Sequence, residues 1–327
     1  MTSRTFVPQR SGLLIVALAL TLSFSARAFA ADAAERPYDP PVGSKWLIES
    51  ETRSDDQRPD SARASLTRMR AELTIDERTA DGFRITYVNR GAEIEGNDKM
   101  LPLVRSAISA LKDVPIHATT DRAGKPVRVD NLDEAKAALR NAVTSLTAPF
   151  RDKPELAAVM TQMMAGLIEV DADKAAASYL EEMPLLARAQ MTGMKLHEIR
   201  RSTNEAANPL GGSGGLKSNT AFELTELDAA TGRRMFTATT SYDVASMKDF
   251  MQSVSKKLMA AAGSGVTPGQ IDSLVKDMVL SLDERTVFEV EDGITRKVRE
   301  KSVTAARALG HNMQKTEERT ITVTRVP

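Results

Sequence analysis

The sequence predicts an α+β protein, a curved antiparallel β-sheet rich in meanders with two helical clusters packed on one face. Long segments alternate apolar and polar residues with a period of two, and turns such as Asp81-Gly82 separate them. Apolar residues at helical spacing fall into two groups instead of alternating singly with strands. Turns of this kind join antiparallel neighbours, and grouped helices argue against a doubly wound parallel sheet.

The N-terminus has the three parts of a secretory signal peptide at 1–30. Arg4 and Arg10 precede an apolar run from Leu13 to about Phe24, and Ala28-Phe29-Ala30 matches the small-x-small pattern before a cleavage site. The run is shorter than the roughly 20 residues that a membrane-spanning helix needs. We expect cleavage near Ala30 and a periplasmic or secreted protein; the alternative is an uncleaved anchor or a buried helix.

Composition excludes several functional classes. The chain has 44 basic and 44 acidic residues, no cysteine and 4% aromatic residues. A balanced charge is not typical of nucleic-acid binding. Without cysteine there is no lipid-modified cysteine, disulfide or thiolate metal site. No later apolar run is long enough to span a bilayer, so we expect no transmembrane anchor after cleavage.

The predicted domain organisation is simple. A Pro-rich extended arm at 31–42 precedes a single α+β domain at 43–327, with a flexible Gly-rich loop at 204–218. A shorter polar loop is predicted at 55–60. The predicted strands lie at 45–52, 68–76, 83–87, 127–129, 191–201, 222–224, 236–242, 287–291, 294–304 and 316–326.

Helices are predicted in two clusters. The segments lie at 101–111, 132–146, 154–168 and 172–182, then at 246–258 and 267–282. Thr267-Pro268-Gly269-Gln270 combines a cap residue, proline and glutamine at a helix start, and Leu282 is assigned to that helix's apolar face. Asp76-Glu77-Arg78-Thr79 recurs as Asp283-Glu284-Arg285-Thr286, which fits either an internal duplication or coincidence.

The motifs with catalytic spacing lack the context that their chemistry needs. Gly211-Gly212-Ser213-Gly214-Gly215 fits G-x-S-x-G but has no strand before it or helix after it, and Ser253-Val254-Ser255-Lys256 fits S-x-x-K without its companion motifs. His117, His197 and His311 are far apart in sequence, and no phosphate-binding glycine loop is present. We therefore predict no catalytic, cofactor-binding or metal-binding residues and no cofactor.

Methionine is the most unusual component, with 15 residues. Thioethers can bind copper(I), or fill a core, or line an adaptable apolar cavity. Many of these methionines share helical stripes with leucine and valine, which core packing explains. The candidate apolar ligand pocket comprises Met160, Met163, Met164, Leu167, Met247, Met251 and Met278.

Two motifs in the first 130 residues carry a family resemblance. Val42-Gly43-Ser44-Lys45-Trp46 and the Asp121-x-x-Gly124-Lys125-Pro126-Val127 hairpin resemble features of uncharacterised exported bacterial proteins. Those proteins are similar to the lipoprotein-carrier class, in which a curved antiparallel sheet half-wraps helices over an apolar cavity. The resemblance implies a hydrophobic-ligand or lipid-handling role. No residue here matches a functional residue of that class.

These observations favour a non-enzymatic exported protein that binds or carries an apolar or lipid-like ligand in the periplasm. A structural or interaction protein of the cell envelope, which docks a protein partner, is the first alternative. An enzyme of unrecognised type is the second, and it would require ionisable side chains gathered in one cleft.

Overall fold

The computed structural model describes residues 35–58, 61–97, 112–148, 152, 154, 161, 165, 168–206, 215–261, 279–308 and 311–327. The chain divides into two units, Met1–Glu35 and Arg36–Pro327. Only Glu35 is described in the first unit, so the fold below is that of the second. The segment predicted as a signal peptide lies outside the described residues, and its cleavage stays a prediction.

The described part of the second unit contains one eleven-stranded antiparallel sheet and four helices. The strands are β1 (Lys45–Arg58), β2 (Ser61–Arg78), β3 (Gly82–Gly96), β4 (Pro115–Asp121), β5 (Pro126–Val129), β6 (Ile199–Ala206), β7 (Leu216–Asp228), β8 (Arg233–Tyr242), β9 (Val279–Glu291), β10 (Ile294–Ala308) and β11 (His311–Val326). The helices are α1 (Leu132–Thr147), α2 (Ala172–Tyr179), α3 (Glu182–Ala187) and α4 (Val244–Ala261).

Strands β1 to β5 run in chain order from the middle of the sheet to one edge, and strands β6 to β11 run in chain order from the other edge back to the middle. The strand order is β5-β4-β3-β2-β1-β11-β10-β9-β8-β7-β6. The chain therefore reaches one edge at β5, continues through α1–α3, and re-enters at the opposite edge with β6. The first and last strands pair in the middle, with Lys45 opposite Val326 and Gln57 opposite Gln314.

The predicted α+β class with two helical clusters is wrong, although the antiparallel pairing is confirmed. The sheet dominates because its strands continue through polar segments; β2 alone has 18 residues. Residues 55–58, predicted as loop, belong to β1. Residues 55–57 pair with both β2 and β11, and Arg58 pairs with β2. Leu282, assigned to a helix, lies in β9. In these polar segments the strands are stabilised by backbone hydrogen bonds to their neighbours and not by burial of alternate apolar side chains.

The repeated tetrapeptide does not occupy equivalent positions in the sheet, which favours coincidence over an internal duplication. Asp76-Glu77-Arg78-Thr79 spans the end of β2 and the turn after it, whereas Asp283-Glu284-Arg285-Thr286 lies inside β9. The two tetrapeptides therefore occupy different places in their hairpins. Of the predicted helices, those at 132–146 and 246–258 are confirmed by α1 and α4. Residues 101–111 and 267–278 lie outside the described part of the chain, as do 207–214 of the Gly-rich segment.

The residues before β1 show that the sheet is strongly curved. Arg36 packs against Gly232 in the β7–β8 turn, while Tyr38 packs against Gly124 in the β4–β5 turn. Strands β4 and β8 are seven places apart in the order, which is roughly 34 Å in a flat sheet. Two residues of extended backbone span only about 7 Å. Even with both side chains extended, they could not touch both turns unless the sheet bent round.

Gly293, in the β9–β10 turn, allows the backbone of Arg36 and Pro37 to lie close to that turn. Its φ is +77°, in the left-handed region, and a Cβ there would lie 2.1 Å from the carbonyl oxygen of Pro37. Only glycine suits both the left-handed backbone and the contact. Arg36 pairs with Asp292 in the same turn, so the turn and the N-terminal residues are held by an ion pair as well as by packing.

The main apolar core lies on the concave face of the sheet, which is the face covered by α1, α2 and α3. We call it the first apolar cluster. Its largest fully buried side chains are Phe236, Phe288, Ile48, Ile75, Ile85, Ile116, Leu180, Leu224, Ile321, Val290 and Val298. The cavity between Trp46, Met183 and Leu186 measures only about 20 Å³. This end of the concave face is therefore filled by the protein's own helices.

The convex face bears charged pairs. Glu49 binds Arg70 on the neighbouring strand, and Glu72 binds Arg90, in each case with both side chains exposed. Such pairs add little stability but keep the surface compatible with water. Among the described residues, no helix is both long enough and apolar enough to cross a membrane.

Candidate functional site

A second apolar group lies on the concave face, where α4 packs against β7 and β9. We call it the second apolar cluster, and it consists of Leu216, Met247, Met251, Leu280, Leu282 and Ala306. Met247 and Leu280 are buried, whereas the other four members are only partly buried. The second apolar cluster is therefore partly open to solvent, whereas the first cluster is buried.

Helical geometry extends this apolar surface along α4. Val244, Met247 and Met251 stand at positions i, i+3 and i+7, so they share one stripe of the helix. Val244 is 48% exposed. The stripe thus continues from the contact with the sheet to the solvent-facing start of the helix.

Polar residues separate the two apolar clusters, and the inner face of β9 shows the change clearly. Leu280 and Leu282 belong to the second cluster, Glu284 and Thr286 follow, and Phe288 begins the first cluster. Successive inner residues are two positions apart, because side chains alternate across a strand. Polar residues also face inward at this level of the neighbouring strands β1, β7, β8, β10 and β11. Together they form what we call the polar belt: Ser50, Thr220, Thr240, Tyr242, Glu284, Thr286, Glu300 and Arg319.

One half of the polar belt ties α3 to the middle of the sheet. Arg319 donates to Ser50 Oγ at 3.2 Å, to Glu181 at 3.1 Å and to Glu182 at 3.0 Å. The Tyr87 hydroxyl donates to the other carboxylate oxygen of Glu182 at 2.8 Å. Burial, followed by the charge of Glu182, raises the pKa of Tyr87, so its hydroxyl stays protonated and able to donate.

The other half of the polar belt brings two carboxyl groups together. Burial raises the pKa of Glu300, and the negative charge of Glu284, to which it is hydrogen-bonded, raises it further. A hydrogen bond between two carboxyl groups requires one of them to carry a proton. The Tyr242 hydroxyl donates to Glu284 at 2.8 Å. Arg188 is the neighbouring cation, with its guanidinium 5.6 Å from the centre of the Phe222 ring.

Replacing Glu300 by glutamine is expected to stabilise the protein at neutral pH by roughly 1 kcal/mol. The raised pKa means that folding penalises the ionised form. The wild-type carboxyl group therefore costs no stability below its ordinary value of 4.5 and costs progressively more as the pH rises through the raised folded pKa. Urea unfolding of wild type and Glu300→Gln between pH 4 and pH 8 measures the difference.

The exposed Glu93, on the convex face, offers the matched control. Glu93→Gln should leave the pH profile of stability close to that of wild type. If Glu300→Gln gained no more stability at pH 8 than at pH 4, the partial burial of Glu300 would not destabilise its ionised form.

The structure places only part of the predicted ligand pocket. Met247 and Met251 lie together in the second apolar cluster. Met160, Met163, Met164, Leu167 and Met278 lie outside the described residues, so the full pocket stays a prediction. Reasoning from sequence missed the polar belt, although one signal was present: Glu284 and Thr286 interrupt the inward-facing apolar residues of β9, with Leu282 on one side and Phe288 on the other.

The other motifs do not assemble into a site in the described part of the chain. Ser253 and Lys256 lie on α4, whereas most of the G-x-S-x-G segment is not described. His117 Nδ1 lies 2.9 Å from the hydroxyl of Thr86, on the exposed side of the sheet. No group of metal-ligating side chains occurs among the described residues.

Comparisons with known proteins provide only distant likenesses. No protein family and no curated protein matches the sequence. A structure described as showing lipid–protein interactions in lipovitellin is 8% identical, covers 88% of this chain and 26% of its own, and has a TM-score of 0.41. OpdL from Pseudomonas aeruginosa is 8% identical, with coverage of 87% and 99% and a TM-score of 0.22.

An outer membrane channel from Pseudomonas putida F1 gives a similar result, with 8% identity, coverage of 89% and 98%, and a TM-score of 0.20. The chain spans about a quarter of the lipovitellin chain that it matches. At TM-scores this low, none of these likenesses carries an argument about function. The concave face itself is therefore the source of evidence for a function.

Proposed function

We propose that the protein binds and carries an apolar or lipid-like molecule in the periplasm, at the second apolar cluster. The observation that carries this proposal is the incomplete burial of that cluster: only Met247 and Leu280 of its members are buried. Half-exposed apolar surface on a concave face is typical of ligand sites. Methionine suits it because an unbranched thioether adapts to ligands of different shapes.

The location of the binding surface follows from how the concave face is divided. Between Trp46, Met183 and Leu186, the first apolar cluster leaves a cavity of only about 20 Å³, which is room for no more than about one water molecule. The wider opening beside Ile85 and Val129, of about 1090 Å³, is lined mainly by polar and charged residues and does not suit an apolar ligand. The second cluster is therefore the favoured site among the described residues. The N-terminal pattern with its Ala28-Phe29-Ala30 cleavage motif supports export to the periplasm.

The alternative of docking a protein by strand addition is less well supported. At the edge of the sheet, β6 pairs with β7 in the described part of the chain. Its exposed residues include Arg200, Arg201 and Glu205. Charged side chains on an edge strand discourage pairing with other chains.

The first test is whether the full chain binds an apolar probe. We expect N-phenyl-1-naphthylamine to gain fluorescence on binding, and native mass spectrometry of protein purified from its host to detect bound lipid-like molecules. Protein that is consistently empty and does not bind the probe would overturn the proposal.

Val244→Asn locates the site. Because Val244 is exposed, its replacement should cost little stability, while a polar group on the α4 stripe should weaken probe binding by about fivefold to tenfold. Val127→Asn is the matched control, since Val127 on β5 is also 48% exposed. Equal effects of the two substitutions on the dissociation constant would show that the probe binds elsewhere.

A further inference from the structure

We infer that the polar belt binds the headgroup of the carried molecule and that this headgroup is a cationic amine. The inference rests on the proposed function, because it assigns the polar end of a molecule whose tail lies on the second apolar cluster. It names a ligand class, an amphiphilic amine, rather than an apolar molecule in general.

The geometry of β9 places the headgroup site beside the tail site. Leu282 is in the second cluster and Glu284 is the next residue on the same face. Alternate residues of a strand are roughly 6.6 Å apart. A tail that lies over Leu280 and Leu282 therefore brings its polar end to the carboxyl groups of Glu284 and Glu300.

The charges around this point favour a cation. Four carboxyl groups, those of Glu181, Glu182, Glu284 and Glu300, face two guanidinium groups. Arg319 already binds Glu181 and Glu182. This leaves Arg188 to balance Glu284 and Glu300, which share a proton in the free protein. An ammonium group that replaced this proton would let both carboxyl groups ionise with their charge balanced, whereas an added negative charge would have no partner there.

A buried hydroxyl gives an independent indication of a missing hydrogen-bond partner. Thr286 is 1% exposed, and its Oγ1 has no hydrogen-bond partner among the described residues. Thr286 lies opposite Glu300 in the register of β9 and β10. Buried polar atoms in folded proteins are nearly always hydrogen-bonded.

A primary ammonium group matches these acceptors. It has three donors and no acceptor, and the site offers the carboxyl groups of Glu284 and Glu300 together with the Thr286 hydroxyl oxygen. A carboxylate headgroup would add acceptors and negative charge where both are already present. A hydroxyl headgroup would supply one donor and no charge. The amine is thus the headgroup that the polar belt fits best.

Displacement of N-phenyl-1-naphthylamine by three competitors with the same dodecyl tail tests this assignment. Dodecylamine, dodecanol and dodecanoate are titrated below their micellar concentrations into the full chain at neutral pH. We expect dodecylamine to bind about tenfold more tightly than dodecanoate, and several-fold more tightly than dodecanol. Wild-type protein with equal affinities, or with a preference for dodecanoate, would refute the amine assignment.

Variants show whether the polar belt causes the preference. Glu284→Gln and Thr286→Val are each expected to reduce the ratio of dodecylamine to dodecanol affinity severalfold while leaving the affinity for the neutral probe unchanged. Glu93→Gln on the convex face should change neither. A ratio that both belt variants preserve would overturn the inference alone, whereas failure of wild type to bind the neutral probe would overturn the proposed function with it.

Discussion

Replacing Arg319 by methionine is expected to lower the free energy of unfolding by about 3–5 kcal/mol, because the substitution leaves a buried carboxylate without its partner. Glu182 has a side chain that is only 3% exposed, and Arg319 supplies the charge opposite it. Methionine preserves most of the apolar stem of arginine but neither the charge nor the donors. Urea unfolding, with the slope checked against wild type, measures the loss.

A second substitution separates the charge from the packing. Adding Glu182→Gln to Arg319→Met should recover at least about 1 kcal/mol, because the amide removes the unbalanced charge and still accepts from Tyr87. Arg70→Met is the control on the convex face, where the pair with Glu49 is exposed; it should cost less than about 1 kcal/mol. If Arg319→Met cost no more than Arg70→Met, the polar belt would not hold α3 to the sheet.

Local pattern was sufficient to predict much of the sheet. Met69, Ala71, Leu73 and Ile75 alternate with polar residues, and the structure places the last three of them in the buried core on β2. The turn at Asp81-Gly82 correctly predicts that β2 pairs with β3. Hairpins are local in sequence, so turn chemistry and side-chain alternation specify them together.

Long-range pairing could not be predicted in the same way. β1 and β11 are neighbours although they stand at opposite ends of the described chain, and no local pattern encodes which distant strands meet. The strands also continue where the apolar alternation stops, as at 55–58 in β1. Because Leu282 was assigned to a helix, the predicted strand began only at Val287, after Glu284 and Thr286, and this concealed the polar belt.

Replacing Phe236 by alanine is expected to cost about 3–5 kcal/mol of unfolding free energy. Phe236 is fully buried, its ring stacks on Phe222 with the centroids 5.2 Å apart, and Phe288 lies opposite it on β9. Alanine would remove the ring from the middle of this aromatic group and leave a cavity. Phe236→Leu retains most of the apolar volume and should cost less than about 1.5 kcal/mol.

The same variant tests whether the two apolar clusters are independent. Phe236 belongs to the first cluster, while the proposed ligand site is the second, on the other side of the polar belt. Under conditions in which Phe236→Ala stays folded, its dissociation constant for N-phenyl-1-naphthylamine should equal that of wild type, although Val244→Asn weakens binding with little loss of stability. A large fall in probe affinity on Phe236→Ala would mean that the ligand enters the first cluster, so that α1–α3 cover the binding site instead of filling a core.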